Sequence, residues 1–571
     1  MIEPTPRWLI HTPDHSLVNA LSKGHNIPEL VATVLANRGV TTETADKFLN
    51  PVFANYTAPE SMHGMEVAAD RLARAIMAGE VIAAFCDGDS DGLGALTVLT
   101  RFCRLVGHEI SPFVLERMVD GYGFTPQNVD RINDSVAPTL IITGDIGIQS
   151  VEAAQHCIKL GIDLIITDHH TPGPEIPDAL AVVNPHLPGC PYPFKLLAGV
   201  GVIMNLCIAT RAVLDREGYF FGRDVPKLSS LVPLVAFSTI ADQVSLQQEN
   251  RIIVKNGLRD LYTIPGMKAL ATAAGLSLES MPTAGTVGFQ LAPRINSAGR
   301  SSSSFLALEL LLTDDPARAA EIAETLNGMN RQRQLIEERM VTEASTRIET
   351  LAEYEGRRTL VMASSTFHPS INGIASSKLV EMYNRPTIMI NIPEGADEDT
   401  ICKGSCRSIR GFNIYDALDA SSSSLAGFGG HPAAAGLTIK AGDIETFIEE
   451  FEATASHLTE DDLRPVIDID ARLTGKDLTL ETADSLTVLE PHGMGNRSAV
   501  FCVTGATICE KRILKGKHLK LSVVIDGTKI DAMWFGMAQM EIGEKADIAF
   551  NLEVNEFRGN RKPQMMVKDL K

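Results

Sequence analysis

The chain has no stretch that is both long and free of polar residues, which excludes an ordinary membrane-spanning helix. Its opening, "MIEPTPRWLIHTPDHS", lacks a basic segment followed by an apolar one, so no secretion leader is expected and the reading is a soluble, cytoplasmic protein. Cysteines at paired zinc-ligand spacing are missing too. Nine cysteines are scattered through 571 residues, and an odd, scattered set points to free thiols in a reducing compartment. Cys402 and Cys406 are the closest pair, with no second pair to complete a zinc site. Positive charge is in short supply: 51 Lys and Arg against 71 Asp and Glu give a net charge of −20, which repels a polyanion at long range. No long polar low-complexity tract is present.

What is present is an ordinary globular composition, 44% apolar and 21% charged, and enough chain for roughly three to five domains. The first sixty residues carry helical patterns, "IPELVATVLANRG" stopped at Gly39 and "TTETADKFLNP" ended by Pro51. From about Glu66 apolar runs alternate with amphipathic ones: "EVAADRLARAIMAGE", "VIAAFC", "GALTVLTRFCRLVG", "PTLIITGD", "SVEAAQHCIKLG", "IDLIITDHH". Strand, helix and strand at this spacing imply an α/β fold, a parallel sheet with right-handed crossovers and helices on both faces.

Beyond it, Asp315 as N-cap and Pro316 at the first turn start one long helix to about Leu351, polar on most sides. A second α/β module follows, with "RTLVMAS" and "RPTIMINI" as strands. The last hundred residues read as five short strands, "PVIDIDARL", "AVFCVTGATI", "HLKLSVVI", "TKIDAMWF" and "ADIAFNLEVNEF", suited to a small barrel of the oligonucleotide-binding (OB) sort. The expected segments are a helical cap (1–60), a catalytic α/β domain (61–314), the connecting helix (315–356), a substrate-binding α/β domain (357–456) and the barrel (465–571). Two basic islands, "KRILKGKHLKLS" and "FRGNRKPQ", lie in the barrel region, where a few charges could hold a phosphate backbone against the acidic total.

The sharpest chemistry sits at strand ends. "VIAAFC" stops at Asp87 and continues Gly-Asp89-Ser-Asp91-Gly; "LIITG" stops at Asp145; "LIIT" stops at Asp168, followed by His169 and His170. A fourth apolar run, "LVPLVAFSTIADQV", carries Asp242 near its end and fits either a strand or a helix. Read alone, the triple aspartate also fits a calcium loop or a plain acidic turn. In a parallel sheet the functional edge lies beyond the carboxyl ends of the strands. Several carboxylates gathered there repel one another unless hard dications such as Mg²⁺ or Mn²⁺ sit among them.

In this order, "CDGDSDG", "TGDIG", "TDHH" and "TIADQV" resemble the four motifs of the DHH phosphoesterase superfamily, and nearly the whole chain resembles its branch of single-strand-specific 5′→3′ DNA exonucleases. "DGYGFTP", "LAPRINSAGR", "HPSINGIASSKL", "GSCRS", "GFGGHPAAAG", "PHGMGN" and "HLKL" resemble further blocks of that branch. The resemblance implies two divalent ions, Mn²⁺ or Mg²⁺. One would be bound by Asp89 and Asp145 with Asp87 close by, the other by Asp91, Asp145, His169 and Asp242, with Asp145 bridging. It places Asp168 behind the ligands and His170 at the substrate phosphate. Substrate-binding positions follow at Arg294, Asn296 and Arg300, at Ser405, Arg407 and Ser408, and at Gly429, Gly430 and His431.

The implied activity is hydrolysis of single-stranded DNA from the 5′ end to 5′-mononucleotides, processively or nearly so, in DNA repair and recombination. The implied protein is a monomer that binds single-stranded DNA, with a single-strand-binding protein and a helicase as candidate protein partners and no membrane. A phosphodiesterase of the same superfamily acting on short oligoribonucleotides, cyclic dinucleotides or pyrophosphate is the nearest alternative. A non-catalytic strand-binding scaffold is the more distant one, disfavoured because every matched ligand position is filled. Gly88 stands where the family usually has an aromatic, Ile146 where it has asparagine, "FHPS" for Trp-His-Pro-Gly, and Arg497 where proline is common.

Overall fold

The computed structural model describes residues 5–116, 120–121, 123–299, 303–557 and 559–571. By internal packing the chain divides into two units. The larger comprises Thr12–Asn330 and Leu473–Lys568; the smaller comprises Met1–His11, Arg331–Arg472 and Asp569–Lys571.

The heart of the larger unit is a parallel five-stranded sheet. Its spatial order is Ser111–Val114, Ile82–Cys86, Leu140–Gly144, Asp163–Thr167, Ala181–Val183. The three central strands are the apolar runs seen in the sequence, and from Ile82 to Thr167 only Asp163 among their residues is not fully buried. Such strands need cover on both faces. Met65–Ala78, Ser90–Val106 and Gly199–Arg216 pack into the core on one side, with Leu72, Leu96, Leu99 and Ile203 fully buried there. Pro126–Val136 and Val151–Leu160 close the other, around Phe85, Ile132, Ile141 and Cys157.

The run left open between strand and helix is a helix, Val232–Ala241, and every residue of Val232–Ile240 is buried, which erases the periodicity that would have told the two apart. The two helical patterns expected near the start are helices, Glu29–Asn37 and Ala45–Leu49; His15–His25 is a third, and Arg7–Ile10 before it is a strand.

The C-terminal strands Phe501–Leu514, His518–Ile525, Thr528–Trp534, Lys545–Phe557 and Asn560–Leu570 form a sheet that closes on itself, because the first also pairs with Lys545–Phe557. Closure removes the open edge and gives the anticipated small barrel. Its strand list differs from the expected one. Only the end of "PVIDIDARL" belongs to it: Ala471–Arg472 is a two-residue strand of the barrel's sheet, whereas Val466–Ile469 pairs in parallel with Arg7–Ile10, inside the smaller unit. The first long barrel strand is the run beginning at Phe501, and the last, Asn560–Leu570, takes its first five residues from the basic island "FRGNRKPQ", with Asn560, Arg561 and Lys562 exposed. The other island forms the hairpin between the first two strands, with left-handed residues at Lys515 and Gly516.

In the smaller unit a mixed sheet runs in the order Gly427–His431, Ala434–Lys440, Ile401–Arg407, Thr387–Asn391, Leu360–Ser364, and only the last two are parallel. The long helix is Pro316–Thr350, started as predicted by Asp315, whose Oδ1 accepts the Ala317 N–H at 2.9 Å. It is less polar than expected. Ala319, Ile322, Ala323 and Leu326 enter the core of the larger unit, while Met340, Ala344 and Ile348 enter that of the smaller, each set at helical spacing.

All nine cysteines are free thiols, eight of them buried and Cys509 exposed. No helix among the described residues is long and apolar enough to cross a membrane.

Candidate metal centre

Three adjacent parallel strands end at one rim, and each hands over an acidic residue. After Ile82–Cys86 the chain reaches Asp87, whose Oδ1 accepts the Gly88 N–H at 2.6 Å. Asp89 caps the helix Ser90–Val106, accepting from the N–H groups of Asp91 (3.1 Å) and Gly92 (3.3 Å). Asp91 lies in the first turn and accepts from Gly199 N–H at 2.6 Å and Val200 N–H at 3.1 Å, the opening residues of Gly199–Arg216. Two helix N-termini thus point their partial positive charge at the acidic cluster.

Asp145 follows Leu140–Gly144 with a left-handed backbone, φ 60°. That conformation is uncommon for a residue with a side chain and recurs at functional sites. Gly199 permits the approach, since a Cβ there would stand 2.6 Å from the Asp145 Cβ. Asp242 is the C-cap of Val232–Ala241 and brings a fifth carboxylate to the group.

The donor atoms fall into overlapping sets, in each of which all lie within 4.8 Å of one another: Asp87, Asp89 and Asp145; Asp91, His169 and Asp242; and Asp145, His169 and His170. Asp145 and His169 join the sets, with His169 Nε2 3.7 Å from Asp242 Oδ2 and 3.8 Å from Asp91 Oδ2. Asp145 Oδ1, His169 Nε2 and Asp242 Oδ2 are buried without a hydrogen-bond partner. Burial of unsatisfied polar atoms is costly, and three converging on one point fit a site built for cations. Oxygen-rich donors with one or two imidazoles match Mn²⁺ or Mg²⁺.

The electrostatics agree. Burial, and then the neighbouring Asp145 and Asp242, push the Asp91 carboxyl well above its ordinary range. Burial and Asp89 do the same to Asp145, and burial and Asp89 raise Asp242. Burial disfavours charge on His169, but Asp242 and Asp91 outweigh it and the net shift is upward.

Asp168 behaves differently. It is buried, yet its carboxyl is held below the usual range because His170 and backbone donors surround it. Oδ1 accepts from His170 Nδ1 at 2.7 Å and from His169 N–H at 2.7 Å, while Oδ2 accepts from Ile148 N–H at 2.9 Å. It therefore orients the His170 imidazole and anchors the His169 backbone from behind. The hydrogen bond to Asp168 raises His170 to about 9.

Of the expected substrate-binding residues, Asn296 uses its Oδ1 to accept from Ser90 N–H (2.8 Å) and Ser90 Oγ (2.7 Å), tying it to the helix start that carries Asp91. Arg294 donates to Asn327 Oδ1 at 3.1 Å and to the Gln290 carbonyl. Arg300 lies outside the described residues.

In the smaller unit, Arg407 donates to Ser377 Oγ at 3.1 Å and to the Cys406 carbonyl at 2.8 Å, beside Gly373, where a Cβ would meet the guanidinium at 2.8 Å. Ser405 occupies the same strand, and its carbonyl accepts from Ser376 Oγ at 3.1 Å. Ser408 Oγ donates to the Phe412 carbonyl at 2.6 Å. Gly429, Gly430 and His431 end the strand Gly427–His431, exposed, with Gly430 at φ 145°.

Sequence reasoning missed the supports. Asn184, fully buried, donates to the His170 carbonyl at 2.9 Å and accepts His186 N–H at 2.7 Å. Gly199 and Asn250 also escaped notice. An asparagine directly after an apolar strand, as in "AVVNPH", was the available signal for Asn184.

Family models match three parts of the chain: the DHH family N-terminal domain over residues 81–226, the DHHA1 domain over 356–457 and the RecJ OB domain over 469–569. The chain is 36% identical to the single-stranded-DNA-specific exonuclease RecJ of Bacillus subtilis, covering 100% of this chain and 71% of that protein. It is 33% identical to the Escherichia coli protein of the same name, covering 95% of this chain and 96% of that one. The crystal structure of RecJ in complex with Mn²⁺ from Thermus thermophilus superposes with a TM-score of 0.83 at 27% identity, covering 99% of this chain and 79% of that one.

Proposed function

The chain belongs to the RecJ family of DHH phosphoesterases, and from that premise we propose that it is a metal-dependent exonuclease that hydrolyses single-stranded DNA from the 5′ end and releases 5′-mononucleotides. One observation supports this most: the overlapping donor sets joined at Asp145 and His169, with buried oxygen and nitrogen atoms left without partners.

In this reading Asp87, Asp89 and Asp145 would hold one ion, and Asp91, His169 and Asp242 with Asp145 would hold the other. Dications held by these residues would supply a hydroxide near neutral pH and positive charge beside the scissile phosphate. The protein does the rest. Left-handed Asp145 places its carboxylate where both donor sets reach it. The helix N-termini at Ser90 and Gly199 keep Asp91 oriented against its like-charged neighbours. Asp168 fixes the His170 ring and the His169 backbone, and His170, held protonated, offers an N–H to a phosphate oxygen.

Arg294, Asn296 and Arg300, together with Ser405, Arg407, Ser408, Gly429, Gly430 and His431, are assigned to the strand backbone, and the OB barrel with its basic hairpin to additional strand contacts. The assignment of a cap (1–60), catalytic domain (61–314), connecting helix (315–356), substrate-binding domain (357–456) and barrel (465–571) belongs to the same proposal. So does a monomer working beside a single-strand-binding protein and a helicase.

Single strands labelled at either end, as DNA and as RNA, test the reading. The expected result is early release of 5′ label from DNA in the presence of Mn²⁺, absent in Asp145→Ala. Earlier release of 3′ label, or faster hydrolysis of a dinucleotide than of a long strand, would overturn it.

A further inference from the structure

The polypeptide that leaves Asp242 is gripped from outside the catalytic sheet. Leu246 N–H donates to the Met494 carbonyl at 2.8 Å, and Gln247 Nε2 donates to the Gly495 carbonyl at 2.9 Å. Arg251, 1% exposed, lies over the Phe48 ring at 3.8 Å. Its guanidinium donates to the carbonyls of Phe48 (2.8 Å), Val488 (3.1 Å), Leu489 (3.1 Å) and Glu490 (2.9 Å). A buried cation satisfied by four carbonyls is a fixed joint, since withdrawing any of those carbonyls leaves charge unsolvated.

The opposing loop, residues 488–496, leads into the barrel and contains "PHGMGN". Asn496 braces it internally, donating to Leu489 and Pro491 carbonyls at 2.8 Å each. Its glycines allow the contact. A Cβ on Gly493 would stand 2.6 Å from Leu246 Cδ1, and one on Gly495, already at φ 70°, would collide with the Ser245 side chain.

The gripped segment reaches the ligands by two routes. Directly, only Gln243, Val244 and Ser245 separate Asp242 from Leu246, and Gln243 holds a left-handed φ of 62°. Such a conformation persists where its surroundings over-determine it. Indirectly, the fully buried Asn250 donates to the Ser245 carbonyl at 2.9 Å and to the Leu196 carbonyl at 2.6 Å. Leu196 precedes the turn whose Gly199 and Val200 N–H groups hold Asp91. Asp91 and Asp242 are two members of one donor set.

We propose that loop 488–496 is a positioning element for the metal centre: docked on residues 245–251, it fixes Asp242 and, through Asn250, Asp91, so that the barrel region tunes ion binding as well as contacting the strand. This rests on reading the centre as a two-ion nuclease site.

Full-length Gly495→Val and Gln247→Ala, the second a mild change that removes one side-chain hydrogen bond, are compared with wild type by Mn²⁺ titration followed by electron paramagnetic resonance. Circular dichroism establishes folding, and kcat and KM on single-stranded DNA are measured in parallel. One of two Mn²⁺ sites is expected to weaken about 10- to 100-fold, the range typical of lost outer supports. The fall in kcat should be restored by added Mn²⁺, with metal-free strand binding unchanged. Folded variants with two wild-type Mn²⁺ affinities, or a loss confined to KM, would overturn the inference alone. A wild type that binds no Mn²⁺ would overturn the underlying reading.

Discussion

His169 Nε2 stands 3.1 Å from Asp145 Oδ1, and neither atom takes part in a hydrogen bond. Two polar atoms so close, buried and misaligned for each other, are directed at a common third point. Asp145→Asn keeps the volume and removes the charge of a residue that belongs to two of the three donor sets. The expected outcome is a loss of at least about a hundredfold in Mn²⁺ affinity and in turnover. Calorimetric titration and rate measurements at saturating DNA check it.

The raised carboxyls of Asp91, Asp145 and Asp242 make metal binding a proton-releasing event. In the metal-free fold they bind more protons than in the unfolded chain, so above the ordinary carboxylate value of 3.8 the folded state loses their contribution as pH rises. Metal-free protein is therefore expected to gain thermal stability from this cluster as pH falls from neutrality toward 5, and Mn²⁺ affinity to rise in the opposite direction. Titrations in buffers of different ionisation enthalpy would detect the released protons.

Asp168→Asn separates orientation from ligation. It keeps an acceptor oxygen but removes the negative charge that helps raise His170 to about 9, and the imidazole should titrate lower, toward its ordinary 6.5. In the wild type the stability due to this pair is present from the carboxylate range up to 6.5, is lost as pH rises through about 9, and is lost again in acid where the lowered Asp168 carboxyl protonates, whereas the variant lacks the alkaline limb. Histidine NMR signals follow the titration, and a drop of about 10- to 100-fold in metal affinity is expected alongside.

Gly88 has no room for the aromatic usual in the family. A Cβ there would stand 2.6 Å from the Leu115 carbonyl oxygen and 2.9 Å from Ser304 Oγ. Gly88→Tyr is expected to destabilise by about 1 to 3 kcal/mol, as overpacking does. Ser304→Gly should not rescue it, because the nearer obstacle is backbone. Denaturant midpoints of the two variants decide this.

The catalytic rim was legible because a parallel sheet requires buried strands, and buried strands are apolar runs whose abrupt acidic ends stand out. Asp87, Asp145 and Asp168 were readable for that reason. Asp242 was readable as a ligand only through resemblance, since the helix before it is buried all round and shows no period. The pairing of Arg7–Ile10 with Val466–Ile469 joins opposite ends of the chain, and no local pattern announces such a contact. Asn560–Leu570 escaped because a barrel strand facing water on one side can look like a basic loop. Asn250 and Arg251 escaped because their partners are backbone carbonyls, which have no side-chain signature.

Eight sulfhydryls are buried while Cys509 alone faces water, on the barrel strand Phe501–Leu514. A maleimide dye would consequently mark one address without prior removal of native thiols. Placed there, its emission would report when the basic hairpin beside it meets a polyanion, giving an optical record of engagement independent of cleavage.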